Sequence, residues 1–118
     1  MEASAKIAVV HKYVEAFDKQ DMALIREIYS QDARVEDPVG TEPRVGIDAI
    51  CAFYEGGFSA GAKLVLTGDA RCSGNAVAFP FQVTMPGLVI DVIDVFEFND
   101  AGKVNSMKAY WSAENMKS

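Results

Sequence analysis

Apolar residues recur at three- and four-residue steps through Ile7, Val10, Val14 and Phe17, with Ser4 ahead of them as a good N-cap. This pattern predicts an amphipathic helix over residues 4–18, with Tyr13 beside its apolar stripe. Lys19-Gln20 makes a short turn, and Asp21 stands where it would cap a second short helix carrying Leu24, Ile25 and Ile28. Residues 33–36 read as a short extended piece. Asp37 follows it and precedes Pro38, whose ring disfavours a helical residue before it, so Asp37 is expected at a strand-to-loop exit. Beyond a loop that holds Pro43, Ile47, Ile50, Cys51, Phe53 and Tyr54 mark a third helix, expected to stop at Gly56-Gly57.

From about Lys63 the period changes from 3.6 to 2. Val77, Phe79, Phe81, Val83 and Met85 alternate on one face of a strand, in which Pro80 predicts a bulge or a position without a ladder partner. Pro86-Gly87 reverses the chain. Leu88, Ile90, Val92, Phe96 and Phe98 then share a face of the next strand, and Asp94 falls on that same face. Asn99 to Gly102 closes a second hairpin, after which Met107, Ala109 and Trp111 alternate on the final strand. Helices first and a meander after them give an α+β class: an antiparallel sheet curled around three helices, with a concave apolar pocket.

Composition narrows the class. A chain of 118 residues, half of them hydrophobic and with 9 glycines and 4 prolines, fits one folded domain over 1–118 and not a disordered or low-complexity segment. Seventeen acidic against eleven basic side chains give a net charge of −6, which would repel a phosphate backbone and removes nucleic acid as a partner. No apolar stretch reaches the roughly 18 residues of a membrane span. The start MEASAK lacks the build of a secretion signal, so a cytoplasmic location is expected. Cys51 and Cys72 have no CxxC spacing and are expected to be reduced, structural thiols.

Asp94 is the most informative residue. A carboxyl on an apolar strand face must find a partner, be protonated, or escape to solvent by strand twist. Asp91, three residues earlier, belongs to the opposite, solvated face. Asp37 in VEDPVG is a turn carboxylate, a positioned base or a metal ligand. His11 is the only histidine and is expected on the surface, which leaves Ser-His-Asp and Cys-His systems without a base. Metal ligands are too scattered for a zinc site, and the acidic run near Asp32 and Glu36 is not a calcium loop. EGGFSAG follows a helix and lacks the Lys-Ser/Thr of a phosphate cradle. Tyr13, Tyr29 and Tyr54, on or at the ends of the three helices, are core residues by default, although buried hydroxyls require partners.

The segments KYVEAFDKQD, IYSQDARVEDPVGTEPRVG, AICAFYEGG, LVIDVIDVFEF and GKVNSMKAYWS together span nearly the whole chain. In them the sequence resembles the bacterial steroid Δ5-isomerases, or ketosteroid isomerases, of the NTF2-like and SnoaL-like cone fold. The resemblance implies Asp37 as general base, with Tyr13 and a protonated Asp94 as oxyanion donors. A carboxylic acid kept neutral by its apolar site is that family's known arrangement and comes with the resemblance; only the placement of Asp94 on an apolar face comes from the alternation. It further implies Tyr29 and Tyr54 as supports of the catalytic phenol, and Trp111 as a donor towards the base. Phe53, Phe79, Phe81 and Val83 match pocket-lining positions, as do Ile90, Val92, Met107 and Ala109.

The implied reaction moves the double bond of a 3-oxo-Δ5-steroid into conjugation by carrying a proton from C4 to C6, with no cofactor and no metal. A homodimer is implied as well. The Met85–Asp91 hairpin, MPGLVID, is shorter than is usual in the family, which bears on the pocket rim and on the dimer contact. Two other readings stand beside this one: a cone-fold enzyme acting on a different polycyclic ketone, and a non-catalytic module that binds steroids or other hydrophobic ligands.

Overall fold

In a computed structural model describing residues 1–118, the chain opens with α1 (Ala3–Lys19) and α2 (Met22–Ile28). The buried line of α1 is Lys6, Val10, Tyr13, Ala16 and Phe17, so Tyr13 lies within the stripe, while Ile7 and Val14 flank it half-buried. A lysine at the head of the line hid this register. The Lys6 stem is buried and its ammonium donates to the Gly74 carbonyl at 2.7 Å, the usual way a long cationic side chain joins a core. The helix starts at Ala3 with Glu2 in the cap position, so Ser4 is a first-turn residue and not the N-cap.

At the other end of α1, Gln20 takes a left-handed φ of 52° and its N–H donates to the last carbonyls. The Lys63 ammonium caps the same end by donating to Phe17 O and Asp18 O, each at 3.0 Å. Asp21 caps α2 as expected, accepting from the N–H groups of Ala23 and Leu24 at 3.0 and 3.3 Å.

The remaining elements are β1 (Tyr29–Glu36), β2 (Arg44–Val45), α3 (Ile47–Ser59), β3 (Lys63–Leu66), β4 (Arg71–Ser73), β5 (Ala76–Met85), β6 (Leu88–Phe98), β7 (Val104–Tyr110), a 3₁₀ turn (Ala113–Asn115) and β8 (Met116–Lys117). α3 does not stop at Gly56-Gly57. It continues one turn, because Phe58 is buried against Phe17 at 5.2 Å between ring centroids, and the reversal comes at Gly61 with a φ of +79°. β1 is longer than the expected 33–36 piece and starts directly at Tyr29. β2 and β8 have two residues each and offer no alternation to read.

The sheet runs β2-β1-β7-β6-β5-β3, with β4 on β5 and β8 on β6. It is not wholly antiparallel, because β1 pairs with β7 in parallel. Pro80 makes no bulge against β6, where Pro80 faces Ile93 in an unbroken register. On the other edge the partner changes there from β3 to β4, so the missing N–H falls in a gap in the ladder. The inner face of β5, β6 and β7 meets α1 and α3 in one cluster of 26 buried residues. Phe96 lies at its centre, 5.1 Å from the Tyr13 ring and 5.0 Å from that of Phe79.

Candidate active site

The parallel pairing of β1 with β7 positions the first carboxylate. Two strands that run the same way bring the residues just past their C-terminal ends together. Glu36 is opposite Lys108, the Val39 N–H donates to Ala109 O at 2.8 Å, and the Trp111 indole N–H donates to Asp37 Oδ1 at 2.7 Å. Both side chains reach an apolar cavity of about 180 Å³ whose lining includes α1, α3, β5 and β6. Asp37 and Asp94 are the only carboxyls in that lining.

Asp94 lies between Phe79 and Ala109 in the sheet and is 1 % exposed. It does not escape to solvent. Neither of its oxygens has a hydrogen-bond partner, which leaves two orphaned polar atoms at the bottom of an apolar cavity. Burial pushes its carboxyl well above the usual range and the negative charge of Asp37 pushes it further, against a smaller opposing pull from the Tyr13 hydroxyl. Asp37 is also raised by burial, but the Trp111 indole and the Arg44 guanidinium both work against that rise. The two carboxyls therefore have unlike environments, one with a donor and a cation, the other nearly bare. Asp91, on the outer face, is not simply solvated: it pairs with Lys117 at 2.9 Å and accepts from Gln82 at 3.0 Å.

The three tyrosines meet. Tyr54 OH lies 2.9 Å from Tyr13 OH and 2.5 Å from Tyr29 OH, and all three residues are buried. Burial raises all three phenols well above their ordinary range, so each is a neutral O–H. Of the three, Tyr13 and Tyr54 line the cavity and Tyr29 stands behind them.

Phe53, Phe81, Val83, Ile90, Val92 and Trp111 line the cavity. Phe79, Met107 and Ala109 do not. They share the same strand faces, but at the narrow end of the cone those faces close on one another. Phe79 stacks on Phe81 at 5.4 Å and is fully buried, while Met107 and Ala109 are each 1 % exposed. On β6 the open part ends at Asp94, and Phe96 beyond it is solid core. Phe17, Leu64 and Met85 were not expected in the lining. Phe17 and Met85 were visible as apolar-face residues, but nothing in their spacing separates core from cavity. No cluster of side chains suited to a metal ion is present. Cys51 and Cys72 are both free.

The SnoaL-like domain family matches residues 10–107. The chain belongs to the SnoaL-like family. A protein of Nocardioides simplex named steroid Delta-isomerase is 38 % identical over 122 residues, covering 98 % of this chain and 96 % of that one. Likeness at this level over both chains makes this SnoaL-like protein an isomerase. A solved structure of the epoxide hydrolase/cyclase-like enzyme SalBIII, from pyran ring formation in the polyether salinomycin, superposes with a TM-score of 0.90. It is 24 % identical and covers 98 % of this chain and 96 % of its own, which shows the cone fold and nothing about substrate.

Proposed function

We propose that this SnoaL-like protein is a steroid Δ5-isomerase that converts 3-oxo-Δ5-steroids to their conjugated Δ4 isomers. The observation that carries the reading is Asp94, buried with both carboxyl oxygens unpartnered, in one apolar cavity with Tyr13 and Asp37. An orphaned acid in a packed core costs stability unless a ligand completes it. A ketone oxygen that gains negative charge during reaction is a suitable partner for a protonated acid and a phenol.

In this mechanism the steroid lies with its 3-oxo group at Tyr13 and Asp94 and its fused rings against Phe53, Phe81 and Val92. Asp37, ionised, removes the C4 proton. The electron pair of the C–H bond moves to the ketone oxygen through the new enolate double bond, and the two O–H donors stabilise the resulting dienolate. Asp37 then delivers the same proton to C6 as the pair returns through the conjugated system, so atoms and charge balance with no redox change. Tyr54 holds the Tyr13 hydroxyl in place and Tyr29 holds Tyr54. The apolar walls limit exchange of the carried proton with water. No cofactor or metal takes part.

A homodimer is part of the same proposal. Ile93 and Tyr110 are cross-strand partners on the outer sheet face and are 50 % and 48 % exposed, an apolar pair suited to a second copy. Sedimentation of the purified chain as a monomer across the micromolar range would remove this part. The cytoplasm is the compartment proposed, supported by two unpaired cysteines.

The test of function is ultraviolet absorbance of 5-androstene-3,17-dione mixed with purified protein, since only the conjugated product absorbs strongly. Absorbance should grow at once in proportion to protein. A flat trace with folded protein, or turnover of non-steroid ketones alone, sinks the proposal.

A further inference from the structure

Arg44 on β2 and Val35 on β1 are register partners. Cross-strand partners share a face of the sheet. Val35 is fully buried, so Arg44 points to the inner side, whereas Arg34 and Val45 form the exposed pair next to it. The guanidinium carbon lies 4.1 Å from the centroid of the Phe53 ring. Phe53 and Asp37 line the same cavity. The four ion pairs of the molecule use Lys12, Lys19, Arg26 and Lys117, and the Arg44 side chain makes neither an ion pair nor a hydrogen bond.

Arg44 is half-buried, and the inward side of its guanidinium meets the cavity wall through Phe53. The ring face favours the positive charge placed over it. The Arg44 charge also opposes the rise that burial imposes on Asp37. Asp94 from β6 and the phenols of Tyr13 and Tyr29 are raised by the Asp37 charge, and none of them is cationic. Trp111 gives Asp37 a neutral donor, and Glu36 beside it is occupied with the Gly40 N–H at 3.1 Å. Arg44 is the one positive charge that bears on it.

We propose that Arg44 is a positioning residue of the site: stacked on Phe53, it holds the cavity wall and provides the positive charge that favours the Asp37 carboxylate. The proposal rests on the reading of Asp37 as the base. Its two parts separate in Arg44→Met, which keeps length and loses charge, and Arg44→Lys, which keeps charge and loses the flat stacking surface.

The experiment is carbon NMR titration of the Asp37 carboxyl in wild type and both variants, alongside pH profiles of kcat/KM for steroid turnover. Arg44→Met should move the Asp37 titration and the acid limb of the profile to higher pH together. Arg44→Lys should return both towards wild type while KM stays raised, because the Phe53 wall is loosened. An Asp37 titration unchanged in Arg44→Met, or a shift that lysine does not restore, overturns the proposal. Should wild type turn over no steroid, the base assignment fails, while the NMR titration still decides whether Arg44 acts on Asp37.

Discussion

Removing one hydroxyl from the tyrosine chain should have very unequal consequences depending on which is removed. Tyr54 is the middle member, bonded to Tyr13 and to Tyr29. In Tyr54→Phe the Tyr13 hydroxyl keeps access to the cavity, but Tyr29 loses its only partner and does not reach that cavity. A buried hydroxyl stranded in this way costs about 1–3 kcal/mol, to which the loss of the bonds themselves adds about 1 kcal/mol. In Tyr29→Phe, by contrast, Tyr54 keeps its bond to Tyr13, and the loss is about 0.5–1.5 kcal/mol.

The central substitution should therefore exceed the terminal one by about 1 kcal/mol or more. Urea unfolding followed by tryptophan fluorescence and circular dichroism reads the difference, and thermal midpoints should differ by roughly 3–6 °C per kcal/mol in a chain of this size. Equal destabilisation by the two variants, within about 0.5 kcal/mol, would refute the chain as drawn. Tyr54 would then not be its hub.

Three further outcomes follow from the site. Tyr13→Phe should lower kcat by roughly 10²- to 10³-fold with KM little changed, as the loss of one oxyanion donor does; steady-state kinetics with an effect on KM alone would contradict that role. Asp94→Asn should flatten the pH dependence of stability. The unfolded chain releases the Asp94 proton near pH 4 while the native carboxyl, raised by burial, keeps it. Native stability therefore falls as pH rises above about 4 until the native group itself ionises, with a slope of up to about 1.4 kcal/mol per pH unit that the variant should lack in urea titrations at several pH values. Trp111→Phe removes the indole donor that holds Asp37 down, so the acid limb of kcat/KM should move to higher pH. An unmoved limb would show that the indole does not act on the base.

Much of this was legible before any coordinate. Alternation along β6 put Asp94 on the apolar face, and Asp37-Pro38 fixed a carboxylate at a strand exit, because period 2 and proline sterics are local properties of the chain. What could not be read is set by distant partners. The parallel seam between β1 and β7, which brings Trp111 to Asp37, joins residues more than seventy positions apart. α3 runs through two glycines because Phe58 is anchored in the core, a tertiary contact that overrides helix propensity. Phe79 and Phe81 occupy the same strand face, yet one is core and the other cavity wall, since the taper of the cone and not the strand decides where packing ends. Inward-facing Arg44 was invisible because its two-residue strand carries no pattern.

The central claim is that a single carboxylate carries one proton between two carbons inside the cavity. Turnover of 5-androstene-3,17-dione deuterated at C4, in ordinary water, tests it directly by mass and NMR analysis of the Δ4 product. Wild type should deliver deuterium to C6, and Asp37→Asn should slow product formation by roughly 10²- to 10⁴-fold, the usual worth of a positioned base. Product free of deuterium at C6, or an Asp37→Asn variant that turns over at the wild-type rate, would contradict it.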